Sequence, residues 1–209
     1  MMRLFSPPLL SLFLLLSPHL ATQVSSSPAS APVAESLYGK KLHLAGIRNA
    51  GKISDVLYRG AQPKAKGLAE LKELGVTTIV DLRGEDREKT EWERKRAESL
   101  GMRFVHIPVS GWSPPTIEQV AEFLSLFRGE PQQRIFVHCR FGDDRTGVFV
   151  ATYRMLIEKW PAEQALNEMY YFGFNGFWHP SMKSFIRDFP SRVKSSPALT
   201  SLDGPASQP

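Results

Sequence analysis

Residues 134–147 read Arg-Ile-Phe-Val-His-Cys-Arg-Phe-Gly-Asp-Asp-Arg-Thr-Gly, and a largely apolar run from Val148 to Ile157 follows at once. This stretch constrains the fold more than any other. An apolar, β-prone run delivers Cys139, the chain's single cysteine, into a short loop that closes with Arg145, Thr146 and Gly147 at the start of a helix. Such a loop aims unpaired backbone N–H groups at one point, so it binds anions, with phosphate the expected occupant. The same field acts on the thiol. A free cysteine with a pKa of about 8.5 drops to roughly 3.5 to 7.5 beside a helix N-terminus and an arginine, which leaves a thiolate at neutral pH. Each unit of that shift corresponds to about 1.4 kcal/mol in favour of the anion.

His138-Cys139, five residues, then Arg145-Thr146-Gly147 resembles the signature loop of the cysteine-dependent protein tyrosine and dual-specificity phosphatases. Tyr58-Arg59-Gly60 and Asp81-Leu82-Arg83 add to the resemblance at lower specificity. The resemblance implies the same architecture over roughly residues 38 to 190. It also implies a phosphocysteine intermediate that water then hydrolyses, with no metal and no cofactor.

The two ends differ from the middle. Met1 to Leu20 carries one early cation, Arg3, then Leu9 to Leu16 interrupted only by Ser11, then Ser17-Pro18. The apolar part is too short to span a bilayer and has the proportions of a secretory signal peptide, so the chain is expected to be exported, periplasmic or secreted. An uncleaved anchor is the alternative, since Ala29-Ser30-Ala31 is followed by Pro32, and only that alternative would put the protein at a membrane. Ser25 to Val33 reads as a linker, so residues 1–34 are set aside as signal and linker, 35–190 as the domain and 191–209 as a disordered tail. A lone cysteine in an exported chain forms no internal disulfide, which suits a nucleophile that must stay reduced.

A composition of 42% hydrophobic and 22% charged residues is that of an ordinary globular domain. The net charge of +5 favours anionic partners without identifying one. Basic residues are not interleaved with aromatics as in nucleic-acid binders, and zinc spacings, dinucleotide fingerprints and nucleotide-type Gly-Lys-Ser/Thr loops are missing. His43, His106 and His179 have no metal spacing either.

Along the chain, 42–47 and 52–58 read as strands of a hairpin, which Arg59-Gly60-Ala61-Gln62-Pro63 then breaks. Leu68, Leu71 and Leu74 predict a helix ended by Gly75, and 76–82 a buried strand. Residues 84–100 predict a solvated, charge-laced helix with Trp92 nearly its only large apolar residue, and 103–109 a strand. Thr116 with Gln119 forms a capping box for a helix through Phe127 that buries Ile117, Val120, Ala121, Leu124 and Phe127. Short helices over 162–169 and 181–189 close the domain. The alternation predicts an α/β fold with a mostly parallel central sheet flanked by helices, and the cysteine loop at a strand's carboxyl end.

Phosphoryl transfer needs a nucleophile, charge stabilisation on three equatorial oxygens, and a proton for the leaving oxygen. Cys139 is the expected nucleophile. Arg145 is the expected bidentate clamp, with the amides of Arg140, Phe141, Gly142 and Asp143 completing the cradle. Thr146 either bonds the thiolate or assists hydrolysis, or merely caps the helix. His138 and Gly147 are expected to support the loop.

Phosphatases of this superfamily usually carry the acid as an aspartate in an upstream loop, where this chain has Gly111-Trp112-Ser113-Pro114-Pro115. No aspartate lies between residues 87 and 142. Asp144 is therefore the expected acid, with Glu118 and Glu122 as weaker candidates. Asp-Arg-Thr at the loop's end is similar to the myotubularin-type lipid phosphatases and to a group of secreted bacterial tyrosine phosphatases, whose loop aspartate is the acid.

The expected substrate is phosphotyrosine, with phosphoserine or phosphothreonine as an extension. A phosphoinositide or inositol phosphate is the alternative, as is a phosphate-binding module of weak catalysis. Partners are thus a phosphorylated protein or lipid, with no nucleic acid, and the oligomeric state is left open. A rhodanese-like sulfurtransferase also uses a strand-loop cysteine, but the His-Cys and Arg-Thr-Gly pairs do not favour it.

Overall fold

The computed structural model describes residues 37–128 and 132–204. The expected signal segment and linker at 1–34 lie outside the described residues. Six strands form one sheet: β1 (Lys40–Lys41), β2 (Gly51–Lys52), β3 (Leu57–Ala61), β4 (Thr78–Arg83), β5 (Arg103–Val109) and β6 (Ile135–Cys139). Their order is β1-β2-β3-β6-β4-β5; β3, β6, β4 and β5 run parallel, and the short β1 and β2 add an antiparallel edge. The expected mostly parallel α/β sheet is what forms.

β6 sits between β3 and β4, with Ala61 opposite Cys139 and Asp81 opposite His138. All five of its residues are buried, as a parallel strand covered on both faces requires. Because the period of a strand is two, Cys139 and His138 leave the sheet on opposite faces.

Helices cover both faces. On one lie α1 (Ala65–Glu73) and α2 (Arg87–Ser99), packing Leu68, Leu71 and Ala97 against Ile79 and Phe136. On the other lie α3 (Ile117–Ser125, extended by a 3-10 turn at Leu126–Arg128), α4 (Asp144–Leu156), α5 (Ala162–Tyr171), α6 (Pro180–Ser195) and α7 (Pro197–Asp203). They share a core that includes Phe123, Phe149, Phe185 and Leu199. Every residue of α4 from Arg145 to Leu156 is buried, so the helix that follows the cysteine loop is the axis of this half of the core. Among the described residues no helix is long and apolar enough to cross a membrane.

Several elements match their sequence reading. Gly75 ends α1 at φ +78°, β5 spans Arg103–Val109, and Thr116 and Gln119 form a reciprocal capping box on α3. Others differ. Residues 42–47 form turns rather than a strand, and Arg59-Gly60-Ala61 continues β3 instead of breaking it, since pairing with β6 outweighs the glycine. Phe123, absent from the expected buried face of α3, is fully buried, packing edge-on against Phe127 and Phe149.

The tail needs correcting over 191–203. Residues 191–195 continue α6 through Pro190, and α7 buries Leu199 completely. The physical reason is tertiary: the proline removes one backbone hydrogen bond, but apolar faces on both sides of it find the core. Leu199→Ala is accordingly expected to lower unfolding free energy by about 2–5 kcal/mol in urea titration, whereas Ser201→Ala, on the exposed side, should stay within about 0.5 kcal/mol of wild type.

Candidate active site

Cys139 closes β6, and the chain then turns through 140–143 into α4. Two features give the loop its shape. Gly142 takes φ +78°, and a Cβ there would collide with the Gly60–Ala61 backbone. Its carbonyl is drawn outward: Asn49 Nδ2 donates to it at 2.8 Å, and so does the fully buried Arg59 guanidinium. With the carbonyl held on the outside, the Gly142 N–H faces inward and donates to Cys139 Sγ at 3.3 Å. Arg59 lies 4.2 Å from the centre of the Phe172 ring, and burial lowers its pKa to about 10, so it still carries its charge at neutral pH.

Around the sulfur is a cavity of about 430 Å³, lined by Glu85, Gly111, Trp112, Cys139, Arg140, Phe141, Asp143, Asp144, Arg145 and His179. Of the residues singled out in the sequence, Cys139, Arg140, Phe141, Asp143, Asp144 and Arg145 come together here. Asp143 caps α4 by accepting from the Asp144 N–H at 2.9 Å. Thr146 is fully buried in the first turn, and its hydroxyl has no hydrogen-bond partner among the described residues. Gly147 packs against Met169. Glu118 and Glu122 are exposed on α3 and do not line the cavity.

Arg145 is held by a residue that sequence reasoning missed. Nη1 and Nη2 donate to the two oxygens of Glu85 at 2.7 and 2.8 Å, and Nη1 also donates to the Val109 carbonyl at 3.2 Å. The paired guanidinium brings the Glu85 carboxyl down to about 2, so it is an anion throughout the physiological range. A guanidinium has five N–H donors. These contacts use three, leaving Nε–H and one Nη2–H, side by side, for an oxyanion.

Asp144 is also better partnered than its sequence shows. One oxygen accepts from the Asn175 N–H at 3.0 Å, and the other lies 3.3 Å from His179 Nε2. Trp112 packs in turn against His179, with ring centres 5.4 Å apart and the planes tilted by 34°. Burial, aided by the neighbouring Asp143 carboxylate, raises the Asp144 pKa against the opposing pull of the Asn175 N–H, His179 and Arg145. The 111–115 loop, which has no aspartate, thus contributes Trp112, which packs against the partner of Asp144.

His138 points to the other face of the sheet. There Asp81 and Arg83, two apart on β4, meet Thr90 and Glu93, one turn apart on α2. Arg83 bonds both Asp81 oxygens at 2.8 and 2.7 Å and Glu93 at 2.8 Å; Thr90 donates to Asp81 at 3.0 Å. His138 Nε2 lies 2.8 Å from Glu93 Oε1, off the line of a well-formed hydrogen bond. The expectation of a wholly solvated α2 is therefore corrected at Glu93, which is fully buried. Asp81, Glu93 and His138 have ligand atoms close enough to surround a cation, but Arg83 already supplies one positive charge there. Burial pushes the imidazole down, yet the Glu93 and Asp81 carboxylates outweigh it and hold the His138 pKa above its ordinary value. When His138 is protonated, two anions face two cations.

Residues 45–184 match the model of a family described as DSP-PTPase phosphatase fused to NAD+ kinase. The chain belongs to this family. Among proteins of related sequence, it is 30% identical over 126 residues to the dual specificity protein phosphatase TpbA of Pseudomonas aeruginosa, which covers 60% of this chain and 55% of that protein. It is also 30% identical over 105 residues to the chloroplastic NAD kinase 2 of Arabidopsis thaliana, covering 49% of this chain and 11% of that protein. The chain thus spans little more than half of TpbA's length. The fold is that of the P. aeruginosa TpbA crystal structure, with a TM-score of 0.65 at 24% identity, covering 81% of this chain and 98% of that one. It is also that of the core catalytic domain of the S. cerevisiae PP-IP phosphatase SIW14, with a TM-score of 0.59 at 19% identity over 73% of this chain and 94% of that one.

Two measurements check this account of the site. Gly142→Ala forces a side chain into left-handed backbone against β3, so stability should fall by about 1–3 kcal/mol and vanadate binding, followed by fluorescence titration, should be lost. The stability contributed by the His138 imidazolium is complete below the unfolded pKa of about 6.5 and is lost as pH rises through the folded value. Wild-type unfolding free energy should therefore decline on the alkaline side, and Glu93→Gln should flatten that slope while costing about 3–5 kcal/mol at acidic pH.

Proposed function

We propose that this domain is a cysteine-dependent phosphatase that hydrolyses phosphotyrosine, with phosphoserine and phosphothreonine as slower substrates, and that the chain is exported. The observation that carries the activity is the convergence, in one cavity, of Cys139 Sγ, the inward Gly142 N–H and the Arg145 fork. Export rests on the apolar Leu9–Leu16 segment behind Arg3.

The geometry supports the following reaction. The Cys139 thiolate attacks phosphorus in line, forming an S–P bond as the P–O bond to the leaving group breaks. The loop amides and the two free N–H groups of Arg145 hold the equatorial oxygens. Asp144, whose hold on a proton burial strengthens, gives that proton to the departing oxygen and, now a carboxylate, takes a proton from the water that attacks the phosphocysteine. Inorganic phosphate leaves and Cys139 returns as the thiolate. Glu85 and Val109 orient Arg145 without occupying the donors that phosphate needs. Trp112 and Phe141 line the cavity with apolar surface suited to an aryl ring.

Cys139→Ser should abolish phosphate release from p-nitrophenyl phosphate, measured in the presence of a chelator. Asp144→Asn should slow substrates with poor leaving groups by about 10²–10⁴ while barely affecting good ones. Equal slowing of both would assign the acid elsewhere. A panel of phosphopeptides and inositol phosphates decides between the two substrate classes.

A further inference from the structure

Beside the catalytic cavity runs a groove of about 980 Å³ that shares Arg140 and Phe141 with it. Its lining contains Arg48, Lys64, Lys89 and Arg140, and no carboxylate. Lys89 is already paired with Asp86, but Arg48, Lys64 and Arg140 have no carboxylate partner among the described residues. Three uncompensated cations therefore face one depression. The arrangement is built into the backbone: the Gly46 carbonyl accepts from Lys64 N at 3.0 Å, and the Arg48 carbonyl accepts from Ala61 N at 2.9 Å, so the turn that carries Arg48 is fastened to the end of β3. Phe141, half exposed, stands between the two sites with Arg48 and Arg140 at 5.7 and 5.1 Å from its ring centre.

We propose that this groove seats the acidic chain flanking a phosphorylated tyrosine, making the enzyme selective for phosphopeptides with Asp or Glu beside the phosphoresidue. The proposal rests on the phosphatase reading and names its substrate class. Charge sets the sign of the ligand, and a chain of carboxylates entering a concave, carboxylate-free basic surface gains both affinity and encounter rate. The apolar members of the lining set the kind of ligand. Leu44, Pro63 and the half-exposed Trp92 offer contact area that a peptide backbone and its side-chain methylenes can cover. A ring bearing phosphates at every position has no apolar surface to present to them. Because Arg140 and Phe141 belong to both sites, a peptide whose phosphate sits over Cys139 must cross Phe141 to reach the groove.

The test compares kcat/KM for three phosphotyrosine peptides with acidic, neutral and basic flanks, alongside p-nitrophenyl phosphate and inositol hexakisphosphate, on wild type and the Arg48→Glu/Lys64→Glu variant. Wild type should favour the acidic peptide over the basic one by about tenfold at low salt, and the margin should shrink near 1 M salt, where the Debye length is about 3 Å. The charge-reversed variant should lose or invert that order and hydrolyse p-nitrophenyl phosphate at the wild-type rate. Arg48→Gln/Lys64→Gln, a milder change, should give an intermediate order if reversal harms folding. Equal rates on all three peptides, or an acidic preference that survives both variants, overturns the groove assignment. So does preferred turnover of the inositol phosphate with the same dependence on Arg48 and Lys64. Absence of any p-nitrophenyl phosphate turnover in wild type would instead overturn the underlying phosphatase reading.

Discussion

The site depends on the direction in which one carbonyl points. Left to itself a short loop turns carbonyls and amides either way, and a carbonyl directed at Cys139 would repel both a thiolate and a phosphate. Arg59 and Asn49 hold the Gly142 carbonyl on the far side, and the positive φ of Gly142 makes that orientation accessible. The inward Gly142 N–H and the capacity of the loop to bind an oxyanion both follow from it. Arg59 can do this only because β3 pairs with β6 in the register that sets Ala61 opposite Cys139.

A second constraint lies beneath the sheet. β6 carries Cys139 up on one face and His138 down on the other, and a buried histidine there would be poorly solvated without partners. Asp81, Arg83, Thr90 and Glu93 enclose it from β4 and α2, so the strand that presents Cys139 is clamped by charge on one face and by the apolar α4 on the other. Buried ion pairs are a weak source of net stability, because desolvation offsets attraction, but they fix geometry well. Here that geometry is the height and tilt of the strand that ends in Cys139.

The Cys139 cavity and the basic groove beside it differ in how their cations are held. Arg145 is half-committed to Glu85 and Val109, which leaves it pre-oriented and with two donors for phosphate. Arg48 and Lys64 carry no such commitment, and they line the neighbouring depression rather than the one that holds Cys139. Asp144 stands between burial, which favours its proton, and His179, which favours its anion.

Local sequence determined a good deal: a strand, a cysteine loop and a helix in that order, the cap at Thr116, the stop at Gly75, and Cys139, Asp144 and Arg145 in a single cavity. These rest on contacts within about ten residues, where spacing alone dictates which groups can meet. What tertiary structure decided is everything that arrives from far along the chain. Glu85 reaches Arg145 across 60 positions, Asn49 reaches Gly142 across 93, and Asn175 reaches Asp144 across 31. Glu93 looks like one more charge on a solvated helix until β4 and β6 bring Arg83 and His138 beneath it. Leu199 reads as tail until the apolar wall of α3 and α6 gives it somewhere to go. Propensity and periodicity are local quantities, whereas burial and ion pairing belong to whichever distant surfaces the sheet order places face to face.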